Sequence, residues 1–285
     1  MPSMGTPETA NAPGILIFDS GLGGLTVFRE VAAARPDARF IYAADDAFFP
    51  YGRQEEDKLV ARVVEVMGQL IGSHRPDLVV IACNTASTLV LSHLRERFKV
   101  PFVGTVPAIK PACFNSSSKL VSVLGTEATV KREYTRTLIR EHGNNCAVTL
   151  VGSPRLAELA EAELKGETVS DADISAELAP CFVESAGKRT DTVVLACTHF
   201  PLLLNRLTAL APWPVNFVDP APAIGRRVLE LLGPPLIAPA PAATRYVFTS
   251  AKAPSIALQA VLDRFGNSRV TFGLPIGPET ERLPS

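Results

Sequence analysis

The chain has 285 residues, room for one large or two medium domains, and 47% of them are hydrophobic, so it is expected to fold by itself around a packed core. Its formal net charge of −1 is spread along the sequence without a Lys/Arg block, and aromatic residues are few, which argues against nucleic acid as a primary partner. No run reaches the ~18 apolar residues of a membrane helix, and MPSMGTPETANAPG lacks the basic and then apolar segments of a secretory signal, so the expected location is the cytoplasm with no membrane partner.

Residues 1–13 carry no motif and read as a flexible extension. The first element is the strand GILIFD (14–19), followed by an amphipathic helix, LTVFREVAAAR, that Pro36 ends. ARFIYAAD (38–45) is a second strand, and a helical pattern runs from Glu55 to Ser73. Then come the strand DLVVIAC (77–83), the helix TASTLVLSHLRERF (85–98) and the strand VPFVGT (100–105). From residue 119 the order begins again: KLVSVLGT (119–126), a helix over 129–143, the strand NCAVTLVGS (145–153), helical segments through 155–187, and DTVVLAC (191–197). PVNFVDPAPAIGRRVLELL and the Pro/Ala-rich link GPPLIAPAPAA (233–243) lead to a last strand and helix between Thr244 and Gly266. The strands are apolar throughout and alternate with helices, which predicts parallel sheets covered on both faces.

VVIACNTAS aligns with VVLACTHFP without a gap, a weak internal repeat of the kind that marks two similar lobes. The expected fold is therefore α/β with two lobes, each a mainly parallel sheet covered by helices, and a cleft between them. Lobe 1 takes 14–105 and 219–285, and lobe 2 takes 106–218.

The five cysteines are odd in number and widely spaced, which is not a disulfide framework. Cys113, Cys146 and Cys181 have the context of packing residues. Cys83 and Cys197 each fall where a parallel strand hands over to a helix, the edge at which open α/β sheets bind ligands. A helix N-terminus there favours thiolate over thiol, although a strand-end cysteine can also pack as a small hydrophobe.

DSGLGGLT (19–26) resembles a phosphate-cradling loop, with Asp45 or Asp46 at the distance of a ribose contact. Thr26 stands at the third glycine position, however, and Asp19 would repel a pyrophosphate. A small-ligand pocket fits better, with Asp19 accepting from an ammonium group and Ser20 and the loop amides donating to a carboxylate. A tight turn accounts for the glycines alone. FFPYGR (48–53) reads as a pocket loop offering Tyr51 and the Gly52 amide as donors, or as a simple turn. Cys197 and His199 could form a metal half-site, but His74, His93 and His142 supply no second half of matching spacing. His199 could instead tune Cys197 or meet a ligand carboxylate.

A cleft with one thiol on each wall suits inversion at a carbon acid. One thiolate removes the α-proton from one face, the other thiol returns a proton to the opposite face, and the two enantiomers use them in exchanged roles. Disulfide exchange usually needs Cys-x-x-Cys proximity, which is absent from this pair.

IFDSGLGGLTV, PYG, ACNTAS and ACTHFPLL, in this order and spacing, resemble the cofactor-independent glutamate racemases of bacterial cell-wall synthesis, within the aspartate/glutamate racemase superfamily. The resemblance runs from Gly14 to Val218. It implies interconversion of L-glutamate and D-glutamate for peptidoglycan, with neither pyridoxal phosphate nor metal. It makes Cys83 the base for D-glutamate and Cys197 the base for L-glutamate, with Asp19, His199 and Glu161 as helpers. Ser20, Pro50, Tyr51, Gly52, Asn84, Thr85 and Thr198 fall on its substrate-contacting positions. Aspartate racemases resemble the same pattern but usually carry Glu after Cys-Thr, so His199 favours glutamate. Asp46 stands where the family commonly has threonine and adds charge near the pocket; the Glu161 segment is less apolar than usual. Many relatives associate, which leaves a homodimer open. The alternatives are a racemase for aspartate or a related small amino acid, and a non-catalytic two-lobed binding protein.

Overall fold

The computed structural model describes residues 12–235, 243–250, 252 and 255–264, and the backbone of 268–272. The expectations for residues 1–11 and for most of the Pro/Ala-rich link lie outside the described residues.

The first half forms β1 (Gly14–Asp19), α1 (Leu25–Ala34), β2 (Arg39–Ala44), α2 (Glu56–His74), β3 (Leu78–Ile81), α3 (Asn84–Arg97) and β4 (Phe102–Gly104). The next elements are α4 (Ile109–Asn115), β5 (Leu120–Thr126), α5 (Glu127–Lys131), α6 (Glu133–His142), β6 (Ala147–Ser153), α7 (Leu156–Leu164) and α8 (Asp171–Leu178). A short hairpin of β7 (Glu184–Ser185) and β8 (Lys188–Arg189) precedes β9 (Thr192–Ala196), α9 (Leu204–Leu210) and β10 (Asn216–Val218). The chain then runs through α10 (Ala221–Leu232), β11 (Thr244–Phe248), α11 (Ile256–Asp263) and β12 (Ser268–Phe272).

These strands build two parallel sheets flanked by helices, in the orders β12-β11-β2-β1-β3-β4 and β10-β9-β5-β6. The apolar strand runs explain the layering. Ile15, Ile17, Leu78 and Val80 point to one face of the first sheet and pack with Phe28 and Val31 of α1 and Val228 of α10. Leu16, Phe18, Val79 and Ile81 point to the other face and meet Leu59, Val63 and Met67 of α2 and Val90 of α3. A side-chain period of two with both phases apolar is what a doubly covered sheet requires.

Three segments depart from the sequence expectation. The single helix expected over 129–143 breaks at Arg132, which is extended. Thr126 caps α5 by accepting from the Thr129 amide, and Thr135 Oγ1 donates to the Thr129 carbonyl at 2.7 Å, so side chains satisfy groups left by the break. The helical stretch expected through 187 ends earlier: Gly166 takes a left-handed φ of +85° after α7, and Ala186 and Gly187, both at positive φ, turn the hairpin. Helix α4 was not anticipated because Pro107 and Pro111 punctuate it. Pro111 falls in the first turn, where a missing N–H costs little.

A buried pair fastens the end of α10 to the β1–α1–β2 unit. Arg35 donates to both carboxylate oxygens of Asp37, at 2.8 and 2.6 Å, and to the Leu232 carbonyl at 3.0 Å. Asp37→Ala leaves the guanidinium buried without its carboxylate and is expected to cost about 3–5 kcal/mol. Urea unfolding should show this as a lower midpoint with an unchanged slope.

Candidate active site

The turn after β1 is organised by Asp19, which is fully buried. Its Oδ2 accepts from the Gly24 amide at 2.9 Å and the Gly21 amide at 3.2 Å, tying the loop to the start of α1. Thr198, which follows β9 of the second sheet, donates to Asp19 Oδ1 at 3.5 Å. The Tyr42 hydroxyl donates to the Gly21 carbonyl at 2.8 Å from below.

The glycines of this loop are explained by close approach. A Cβ on Gly21 would lie 2.5 Å from Glu161 Oε2, one on Gly24 would lie 2.7 Å from Asp19 Cβ, and one on Gly23 would collide with the His199 imidazole. Gly21 and Gly23 have no room for a side chain because the second lobe presses its acid and imidazole against them, and Gly24 has none because of its own lobe. The ribose-contact reading also falls away. Asp45 is buried and accepts from the Tyr51 hydroxyl at 2.7 Å, Arg62 Nη2 at 2.7 Å and Thr249 Oγ1 at 2.6 Å. Asp46, expected to charge the pocket, instead accepts from the Ser250 amide at 2.8 Å and from the Ser250 hydroxyl, and it does not line the cavity.

Cys83 stands at the N-cap position of α3 without a side-chain capping bond, and its thiol donates to Ser20 Oγ at 3.7 Å. Burial and then the nearby Asp19 carboxylate push this thiol up to about 12, outweighing the nearby Ala86 backbone amide and the bond to Ser20. Cys197 sits differently. No α-helix starts at its side: Pro201 lies in a single tight turn over Phe200–Leu203, and α9 begins only at Leu204. The expected helix N-terminus is therefore missing at this thiol, and His199 takes its place, with Nδ1 3.9 Å from Cys197 Sγ.

His199 is held on its other side. Nε2 lies 2.8 Å from Glu161 Oε2 and 3.2 Å from the Gly23 amide. These contacts are alternatives, because Nε2 carries either a proton or a lone pair, and the charged carboxylate favours the proton. Helix α7 delivers Glu161 after Ser153 Oγ accepts from the Leu156 amide at 3.0 Å. Burial would raise the Glu161 carboxyl, but the bond and charge of His199, joined by those of Lys165, bring it down to about 2. Burial would likewise lower the His199 imidazole, yet its bonds to Cys197 and Glu161 hold it well above its ordinary value. The pair is an imidazolium and a carboxylate, so a positive charge with a proton on Nδ1 faces Cys197.

Cys83 and Cys197 line the same narrow cavity, together with Ser20, Pro50, Tyr51, Gly52, Asn84, Thr85, Thr198 and His199. Asp19 and Glu161 stand behind this lining and act on it through Thr198, the loop and His199. Tyr51 contributes to the wall, but its hydroxyl proton goes to Asp45, so it is not the free donor expected from the sequence. Asn84 is 1% exposed, and neither its amide oxygen nor its amide nitrogen bonds to any described protein atom. A buried amide with both ends open toward a cavity calls for a ligand that donates and accepts.

Phe49, Thr126 and Ala157 also line the cavity and were not singled out from the sequence. Thr126 was legible only as a strand end; here its hydroxyl lies 3.0 Å from Thr85 Oγ1 and 3.0 Å from Thr129 Oγ1, joining the lobes. At the mouth, Arg53 pairs with Glu158 of α7 at 2.8 Å. Among the described residues, no group of three or more His, Cys, Asp or Glu is arranged to hold a metal ion.

Fold and site together define a two-lobed α/β protein with a small, polar, dithiol cleft. The chain belongs to the Asp/Glu/Hydantoin racemase family, whose model matches residues 25–228. It is 57% identical over 227 residues to a glutamate racemase of Brucella canis, covering 79% of this chain and 82% of the relative. To that of Brucella anthropi it is 58% identical over 221 residues, covering 77% and 80%. The solved structure of Escherichia coli glutamate racemase with L-glutamate and the activator UDP-MurNAc-ala superposes with a TM-score of 0.84 at 40% identity, covering 93% of this chain and 100% of that one.

Two predictions follow from the geometry. Glu161 contributes stability that is complete above its ordinary value of 4.5 and is lost as pH falls toward 2. In Glu161→Gln the buried His199 loses one of the two partners that raise its proton affinity, so the stability this adds below the ordinary imidazole value of 6.5 shrinks, together with the carboxylate's own contribution. The acid-unfolding midpoint, followed by circular dichroism, is expected to rise by about one pH unit. Gly23→Ala drives a methyl into His199 and should lower the melting temperature by about 5 °C or more. Gly72→Ala, with nothing within 4 Å, should be neutral or slightly stabilising in the same assay.

Proposed function

We propose that this chain interconverts L-glutamate and D-glutamate by moving the α-proton between Cys83 and Cys197, without pyridoxal phosphate or metal, and so supplies D-glutamate for peptidoglycan in the cytoplasm. The observation that carries the reading is one thiol on each wall of a single cavity, in a chain closely similar to glutamate racemases. Lobe 1 is taken as 14–105 with 219–285 and lobe 2 as 106–218, since β1–β4, β11 and β12 share one sheet and β5, β6, β9 and β10 the other.

With L-glutamate bound, Cys197 as thiolate accepts the α-proton while the electron pair stays on the substrate carbon, delocalised into its carboxylate. Cys83 as thiol then donates its proton to the opposite face. The products are D-glutamate, the Cys197 thiol and the Cys83 thiolate, so protons and charge balance, and D-glutamate runs the same steps in reverse. The asymmetry of the walls suits this direction: Cys83 is held protonated by burial and Asp19, whereas Cys197 faces an imidazolium. Asn84, Ser20, Thr85, Thr198 and the Gly52 amide are polar groups at the cavity that would orient the substrate. His199 supports Cys197, Glu161 fixes the proton on Nε2, and Asp19 sets the Cys83 wall and the loop.

Incubation with L-glutamate in heavy water, followed by circular dichroism and the α-proton NMR signal, should show loss of optical activity with deuterium entering the product. An aspartate control separates the related substrate: exchange on aspartate alone would overturn glutamate and keep the chemistry, while inertness toward both would favour a binding protein. Cys83→Ala and Cys197→Ala should each abolish racemisation in both directions, at least about 10³-fold. Full two-way turnover in either variant would refute the two-thiol mechanism.

A further inference from the structure

The catalytic wall carries one charged group with no part in the reading above. Lys165 lies one turn beyond Glu161 on the same helical path, and its Nζ is 2.9 Å from Glu161 Oε1, the oxygen that His199 does not use. Its side chain is 38% exposed, whereas those of Glu161 and His199 are 5% and 3% exposed. A continuous line of polar contacts thus runs from Cys197 Sγ through His199 and Glu161 to an ammonium group at the surface, with steps of 3.9, 2.8 and 2.9 Å.

We propose that Lys165 is a positioning residue that sets the charge balance of the Glu161–His199 pair and, through it, the readiness of Cys197 to ionise. The inference rests on the reading of Cys197 as a base, but its test does not require turnover. Glu161 is shared between two cations. Without Lys165 the carboxylate faces His199 alone, its full negative charge acts on the imidazolium and on Cys197, and one positive charge leaves the neighbourhood. Both effects disfavour a thiolate at Cys197.

The other ionisable groups around the pair do not replace it. Asp19 at the end of β1 and Cys83 across the cavity are acidic, and Tyr42 on β2 is a buried phenol that feels both Asp19 and Glu161 and is held far above its ordinary range by burial. Arg53 at the mouth is paired with Glu158. The Leu22 amide, 3.4 Å from Glu161 Oε2, is a long neutral contact. Lys165 is therefore the cation that balances Glu161 from the solvent side.

The test is the pH dependence of iodoacetamide alkylation of Cys197 in the substrate-free protein, read on its peptide by mass spectrometry, for wild type, Lys165→Met and Lys165→Arg. Met keeps the length and helix propensity of the side chain and removes its charge; Arg keeps the charge. The midpoint is expected to rise by about half a unit to one unit in Lys165→Met and to stay at the wild-type value in Lys165→Arg. Because Lys165 is partly exposed, 0.5 M KCl should move the wild-type midpoint upward and leave Lys165→Met almost unmoved. An unchanged midpoint in Lys165→Met, or an equal shift in Lys165→Arg, would overturn the assignment. A shifted midpoint in a protein that racemises no amino acid would uphold the role of Lys165 and defeat the proposed substrate, so the two readings fail separately.

Discussion

The ion pair between Glu161 and His199 is the contact around which the rest of the site is arranged. It is buried, and a buried pair is stabilising only when its remaining lone pairs and protons are satisfied. Here Lys165 takes the second carboxylate oxygen, the Leu22 amide approaches the first, and Nδ1 is left for Cys197. Gly21 and Gly23 of the first lobe lack side chains because this pair occupies the space. Those two positions of DSGLGGLT are thus a record of what the opposite lobe presents.

The pair also makes the two thiols unlike each other. Cys83 sits in a dry wall with a carboxylate behind it, and Cys197 sits beside a cation. A racemase must serve two enantiomers of equal free energy, so the walls need not be identical; they need to exchange roles once a proton has crossed. The substrate helps here. Its ammonium group brings a positive charge into a cavity whose first-lobe wall is backed by Asp19, and its carboxylate brings a negative one to a cavity lined by hydroxyls and amides. The carboxylates Asp19 and Glu161 stand behind the lining, and of the charged groups around the site only His199 reaches it, facing Cys197.

Much of this was legible in the sequence because the decisive features are local. The strands ending at Asp19, Cys83 and Cys197 follow from apolar runs bounded by small or polar residues, and the equivalence of Cys83 and Cys197 follows from their matching context. What could not be read depends on contacts between distant segments. The break at Arg132 is compensated by Thr126 and Thr135, hydroxyls with no pattern of their own. The β7–β8 hairpin hides in a stretch whose composition suits a helix until Ala186 and Gly187 adopt positive φ. Tyr51 in the Pro-Tyr-Gly loop and Asp46 just ahead of it looked like pocket groups, yet their polar atoms are claimed by Asp45 and Ser250. In each case the nearest hydrogen-bond partner in space outweighs the neighbour in sequence.

The contacts within and between the lobes differ in kind. Within the first lobe, α1 and α10 pack through Phe28, Val31, Ile224 and Val228, and Gly225 has the Glu30 carbonyl so close that an added Cβ would sit 2.8 Å from it. That face is apolar and tightly fitted. Around the cleft the bridging contacts are of another kind: hydroxyls at Thr85 and Thr126, the half-exposed Arg53–Glu158 pair, and Arg132 reaching Glu56. Of these, the Arg53–Glu158 pair is solvated and contributes at most about 1 kcal/mol, whereas Thr85 and Arg132 are buried. Cys197, His199 and Glu161 all stand on the side of the second sheet, so the charge beside Cys197 is assembled within that lobe, and the first lobe adds the turn whose Gly23 amide approaches His199.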